Sequence, residues 1–81
     1  MTHMQAISDI VAQAVTLMVN GTPRDVSPGS TLATLLAELK LDPRMVVVEL
    51  NRVILRDRAA FATTELRSGD TLELVHFVGG G

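Results

Sequence analysis

Eighty-one residues suffice for one domain with a small core, but not for a deep active site enclosed by one chain. A formal net charge of −2 without a Lys/Arg cluster, and two Phe with no Trp or Tyr, exclude a basic groove or base-stacking platform for nucleic acid. The absence of Cys removes a disulfide framework, a thiolate metal site and any cysteine nucleophile or persulfide within the chain. No apolar run approaches the length of a membrane span, and the start lacks a secretory signal's basic region and cleavage site, so a cytoplasmic protein with no membrane partner is expected.

Residues 1–15 differ in character from the rest of the chain and read as an N-terminal extension. Ile7, Ile10, Val11, Ala14 and Val15 fall at the spacing of one helical face, with Ser8, Asp9 and Gln13 on the other. The reading stays open between a short amphipathic helix, which would need a surface to dock on, and a disordered extension. Met4 is an alternative start, with residues 1–3 left from cloning.

The domain proper is expected over residues 16–78. Leu17-Met18-Val19 reads as a strand, Asn20-Gly21-Thr22 as a tight turn and Pro23 to Ser27 as the returning strand, which Pro23 confines to a sheet edge. Ser30 is the expected N-cap of a helix from about Thr31 to Lys40, whose Leu32, Leu35, Leu36 and Leu39 form a core stripe; Pro43 is expected to end it. Met45 to Leu50 is the strongest strand signal. Asn51-Arg52 turns it into a short strand at Val53 to Leu55, and a looser stretch to Leu66 is pinned by Phe61 and Leu66. Ser68-Gly69-Asp70 then leads into a last strand from Thr71 to about Val78. Burying one helix face against these strands predicts an α+β fold: a mixed sheet with the helix on one side and the first and last strands central and parallel, the β-grasp arrangement.

Period-two alternation then assigns the faces. Leu17, Val46, Val48, Leu72 and Leu74 point to the helix, and Met18, Val47, Glu49, Glu73, Val75 and Phe77 point away, forming an apolar patch edged by two carboxylates. That patch is a candidate docking surface for another protein, the competing occupants being the N-terminal segment or a second copy. Beside it the sequence ends in Gly79-Gly80-Gly81, expected to form a slender tail with a terminal carboxylate able to thread a narrow channel, although glycine-rich ends also occur as frayed termini.

These pieces together resemble the ubiquitin-like sulfur carriers, most closely the ThiS family of thiamine biosynthesis. Val19-Asn20-Gly21 and Pro23 resemble that family's opening hairpin, Glu49-Leu50-Asn51 with Arg56 its middle strand pair, and Leu66, Gly69-Asp70 and Val78-Gly79-Gly80-Gly81 its closing segment. Leu55 stands where the family often has proline, Phe61 where it often has tryptophan, and residues 1–15 have no counterpart in a typical member. The resemblance implies a carrier rather than an enzyme. A partner adenylyltransferase of the ubiquitin-activating, ThiF-like type would use ATP and magnesium to adenylate the Gly81 carboxylate. A sulfur donor enzyme would convert it to a thiocarboxylate, and a ThiG-like thiazole synthase would receive the sulfur. Gly81 carries the chemistry in this reading, and Gly79 and Gly80 give reach. The small subunit of molybdopterin synthase, another sulfur carrier, and a ubiquitin-like binding module or protein modifier are the alternatives.

Other constellations carry less. His3 and His76 are too few for a metal site, Ser27, His76 and Asp70 lack any supporting spacing for nucleophilic catalysis, and no phosphate-binding Gly-x-x-x-x-Gly-Lys loop is present, so no cofactor is expected on this chain. Arg56 and Arg58 flank Asp57 as a solvated loop with weak surface pairing, or as a rim for a partner.

Overall fold

A computed structural model describes residues 14–77. Most of the candidate N-terminal helix and the tail residues Val78, Gly79, Gly80 and Gly81 lie outside the described residues. Strands β1 (Val15–Val19) and β2 (Thr22–Val26) pair antiparallel from Val15 opposite Val26 to Val19 opposite Thr22. Asn20 (φ 50°) and Gly21 (φ 80°) join them in the two-residue left-handed turn whose twist matches that of paired strands. Asn20 does more than turn the chain. Its side chain accepts the Leu74 N–H at 2.7 Å and donates to the Leu74 carbonyl at 3.2 Å, so the amide continues the ladder where the backbone of β1 has left it.

Helix α1 (Leu32–Glu38) starts one residue later than expected. Its N-cap is Thr31, not Ser30. Thr31 Oγ1 accepts the Thr34 N–H at 3.2 Å while Thr34 Oγ1 accepts the Thr31 N–H at 2.9 Å, a reciprocal box that Ser30 could not form because Ala33 would stand in the returning position. Ser30 instead donates its N–H to the Ser27 carbonyl and accepts from the Leu66 N–H at 2.9 Å. Nor does Pro43 end the helix. Leu41 N–H reaches the Leu36 carbonyl at 2.9 Å and Lys40 N–H the Ala37 carbonyl at 3.0 Å, with Lys40 at φ 58°, a Schellman termination formed by a lysine. Pro43 opens a 3₁₀ turn, Pro43–Met45, capped by the Asp42 carboxylate, so Met45 precedes the next strand rather than belonging to it.

Strands β3 (Val46–Leu50) and β4 (Val53–Leu55) form the second antiparallel hairpin, turned by Asn51 (φ 49°) and Arg52 (φ 70°). The stretch expected to be loose contains a 3₁₀ helix, Arg58–Thr63, whose Phe61 is buried, and Leu66 is buried beyond it. Strand β5 (Thr71–His76) lies between β1, parallel, and β3, antiparallel, giving the order β2-β1-β5-β3-β4 with the Pro23 strand at one edge. Leu32, Leu35 and Leu36 of α1 are fully buried against Leu17, Val48 and Leu72. Among the described residues the helix thus covers one face of the sheet and no element covers the other. Among the described residues no helix is long and apolar enough to cross a membrane.

Candidate functional site

Alternation along the strands sets what the open face presents. On β5 the buried Leu72 and Leu74 alternate with exposed Glu73 and Val75. Register with β3 sets Val75 opposite Val47 and Glu73 opposite Glu49, and β1 sets Met18 beside Thr71. Phe77 extends the same series, its N–H donating to the Met45 carbonyl at 2.7 Å. All six expected docking residues therefore share one face, with Val75 56%, Phe77 50% and Met18 38% exposed.

Sequence reasoning missed one member. Ile54 of β4 lies opposite Glu49 and is 47% exposed, so it widens the apolar patch past β3. The signal was available in the register of the hairpin, but a strand of three residues has too few alternations to read its face alone. Beside Ile54 a shallow hollow of about 210 Å³ is lined by Val47, Ile54, Leu55, Arg56 and Arg58. Arg58 is not a loosely solvated side chain paired with Asp57. Its Nε donates to the Pro43 carbonyl at 2.9 Å and its Nη2 to the Val46 carbonyl at 3.3 Å, tying the 3₁₀ helix to the start of β3, while Asp57 accepts the Ala59 N–H.

The face is also where the central strand delivers the chain: β5 ends at His76, and Phe77 stands at the patch margin immediately before the glycine-rich end. Gly79, Gly80 and Gly81 themselves lie outside the described residues. Catalysis by Ser27, His76 and Asp70 has no geometric basis. Asp70 and His76 sit at opposite ends of β5, about 20 Å apart at the rise of an extended chain, and the Asp70 carboxylate already accepts from Asn51 Nδ2 and the Arg67 N–H. Among the described residues no three metal-ligating side chains converge. Next to Met45, whose carbonyl accepts the Phe77 N–H, hydrogen bonds from the Arg44 side chain and N–H hold the Asp42 carboxyl down at about 2.

A five-stranded mixed sheet in this order, with one helix across one face and a glycine-rich end following the central strand, defines a ubiquitin-like β-grasp protein. The ThiS family model matches residues 17–81, and the chain belongs to that family. It is 41% identical over 51 residues to the sulfur carrier protein ThiS of Bacillus subtilis (strain 168), a match covering 63% of this chain and 76% of that protein. It is also 42% identical over 65 residues to a thiazole synthase of Paramagnetospirillum magneticum, covering 80% of this chain and 20% of that protein. The chain spans about a fifth of the length of the thiazole synthases it matches. The crystal structure of the thiamine biosynthesis protein ThiS from Geobacter metallireducens superposes with a TM-score of 0.68 at 38% identity, covering 83% of this chain and all of the other.

Proposed function

We propose that the chain is a sulfur carrier for thiazole formation in thiamine biosynthesis, loaded at the carboxylate of Gly81. The observation that carries this reading is the family match running to residue 81, which includes the glycine end together with the fold. A relative named as a sulfur carrier, and thiazole synthases that contain a stretch similar to this domain, point to the same pathway.

The chemistry starts from what a carboxylate lacks. Its electron-rich carbon resists nucleophiles, so an adenylating partner transfers AMP from magnesium-bound ATP to the Gly81 oxygen and releases pyrophosphate. Sulfide then attacks the acyl carbon, the bond to the AMP oxygen breaks, and a thiocarboxylate and AMP remain. With a persulfide donor the same attack leaves an acyl disulfide, whose S–S bond a second thiol must reduce. The carrier has no catalytic group in this scheme. Its glycines contribute the absence of Cβ atoms, which lets Gly79, Gly80 and Gly81 enter a channel too narrow for side chains. Its open face, Met18, Val47, Glu49, Glu73, Val75 and Phe77, holds the partner enzymes while the tail is occupied.

The test is an intact-mass measurement after incubation with the adenylating enzyme of the source organism, magnesium, ATP and sulfide. One terminal oxygen should be replaced by sulfur in the wild type. Neither a chain lacking Gly81 nor one extended by a residue should change. An unchanged wild-type mass, with an enzyme shown to be active by pyrophosphate exchange, overturns the reading in favour of a ubiquitin-like binding module or protein modifier.

A further inference from the structure

The last rung of the sheet before the glycine end is made to a turn rather than to a strand. Phe77 N–H donates to the Met45 carbonyl at 2.7 Å, one step past the Val46–His76 pair, and Met45 belongs to the 3₁₀ turn Pro43–Met45. Such a rung holds only as well as the turn that carries it. Two groups brace this one. On one flank the Asp42 carboxylate accepts the Arg44 N–H at 2.9 Å and the Arg44 side chain at 3.1 and 2.8 Å, and the Met45 N–H donates to the Asp42 carbonyl at 2.9 Å. On the other flank β4 stops at Leu55 opposite Val48, short of Val46. Arg58 fills the place a longer β4 would take, its Nε donating to the Pro43 carbonyl at 2.9 Å and its Nη2 to the Val46 carbonyl at 3.3 Å. The start of β3 is thus held between a guanidinium and the end of β5. Arg58 is itself anchored, since its 3₁₀ helix buries Phe61 in the core.

We propose that Arg58 is a positioning residue for the reaction at Gly81: by bracing the start of β3 it keeps the Met45 carbonyl bonded to Phe77, and so fixes where the tail leaves the domain. The inference rests on the sulfur-carrier reading. With the Phe77 rung closed, the run beyond it is Val78 to Gly81, which reaches at most about 14 Å. If the Met45 carbonyl swings away, His76 and Phe77 join that run, lengthening it by about 7 Å and loosening its direction. A reactant on a longer, looser lead spends less time with its carboxylate at the phosphorus of ATP, which slows the bound step without weakening the docking that precedes it. Arginine suits the task because its planar fork reaches two carbonyls at once, which a lysine ammonium does not do in the same geometry.

Arg58→Ala and Arg58→Lys separate this role from a docking one, because lysine keeps the charge but not the fork. With the purified adenylating enzyme, ATP, magnesium and sulfide, both should lower kcat for thiocarboxylation about tenfold and leave the KM for the carrier within about twofold of wild type. In both, the Phe77 amide should exchange with deuterium about tenfold faster by NMR, while the Leu74 amide, bonded to Asn20, keeps its rate. Asp42→Ala loosens the same turn from its other flank without touching Arg58 and should give the same pair of changes, which keeps the proposal testable if an Arg58 variant fails to fold. A raised KM at unchanged kcat, or full recovery with lysine, makes Arg58 a docking charge and overturns the proposal. So does a change in only one of the two readouts. A wild-type carrier left unmodified by an active enzyme instead overturns the sulfur-carrier reading on which the role rests, whatever the exchange rates.

Discussion

Three residues with positive φ show how one backbone conformation carries opposite energetic signs. Lys40 (φ 58°) occupies the position after the α1 C-cap where glycine is usual, and Arg52 (φ 70°) the second position of a turn that also favours glycine. Among the described residues neither side chain forms a hydrogen bond that glycine would lose. The left-handed conformation costs an ordinary residue about 1–2 kcal/mol, partly offset by the greater freedom of unfolded glycine. Lys40→Gly and Arg52→Gly should thus each stabilise the domain by about 0.5–1 kcal/mol in urea unfolding. Asn20 (φ 50°) has the same backbone but a side chain bonded to both the N–H and the carbonyl of Leu74. Asn20→Gly relaxes the turn and removes both bonds, so it should destabilise by about 1 kcal/mol. A stabilising Asn20→Gly would mean that the amide is only a turn residue.

At the scale of elements, the outcome for α1 separates what is legible in sequence from what is not. The leucine stripe was readable because three buried side chains at i, i+3 and i+4 have no other economical arrangement, and Leu32, Leu35 and Leu36 are all fully buried. The ends were not, because Ser30 and Thr31 are both good caps and the choice depended on Thr34, a residue type not normally sought at the returning position. Thr31→Ala should cost about 1 kcal/mol, and Ser30→Ala, which leaves the backbone bonds of Ser30 intact, only a few tenths. Equal losses in thermal unfolding would show that the cap is shared. The 3₁₀ helix Arg58–Thr63 left no trace in the sequence because six residues at three per turn show neither helical nor strand periodicity. The open face was legible for the opposite reason. A strict period of two, once Leu72 and Leu74 are placed inward, fixes Glu73 and Val75 outward, and only the three-residue β4 was too short for the rule to reach Ile54.

For the whole molecule, strand β5 is the boundary between stability and function, since its inward residues build the core and its outward residues face the proposed partner. Leu72 is fully buried beneath α1, and Val75, three residues on, is 56% exposed. Leu72→Ala removes side-chain atoms from a core that cannot collapse to fill the space, a loss of about 2–5 kcal/mol. A small domain has about 5–15 kcal/mol in total, so this variant should unfold at a clearly lower urea concentration and should lose thiocarboxylation only in proportion to its unfolded fraction. Val75→Ser removes only a half-exposed side chain that pairs across the strands with Val47, and should cost the free carrier no more than about 1 kcal/mol. It should nevertheless raise the KM of the carrier for the adenylating enzyme about tenfold while leaving kcat close to the wild-type value. In the proposed scheme the bond-making step is at Gly81 and not on β5, so the open face would supply affinity and the tail the reacting carbon. A fall in kcat at saturating carrier would mean instead that docking on β5 aligns the tail as well as holding it, and the two faces of the strand would no longer divide stability from chemistry so cleanly.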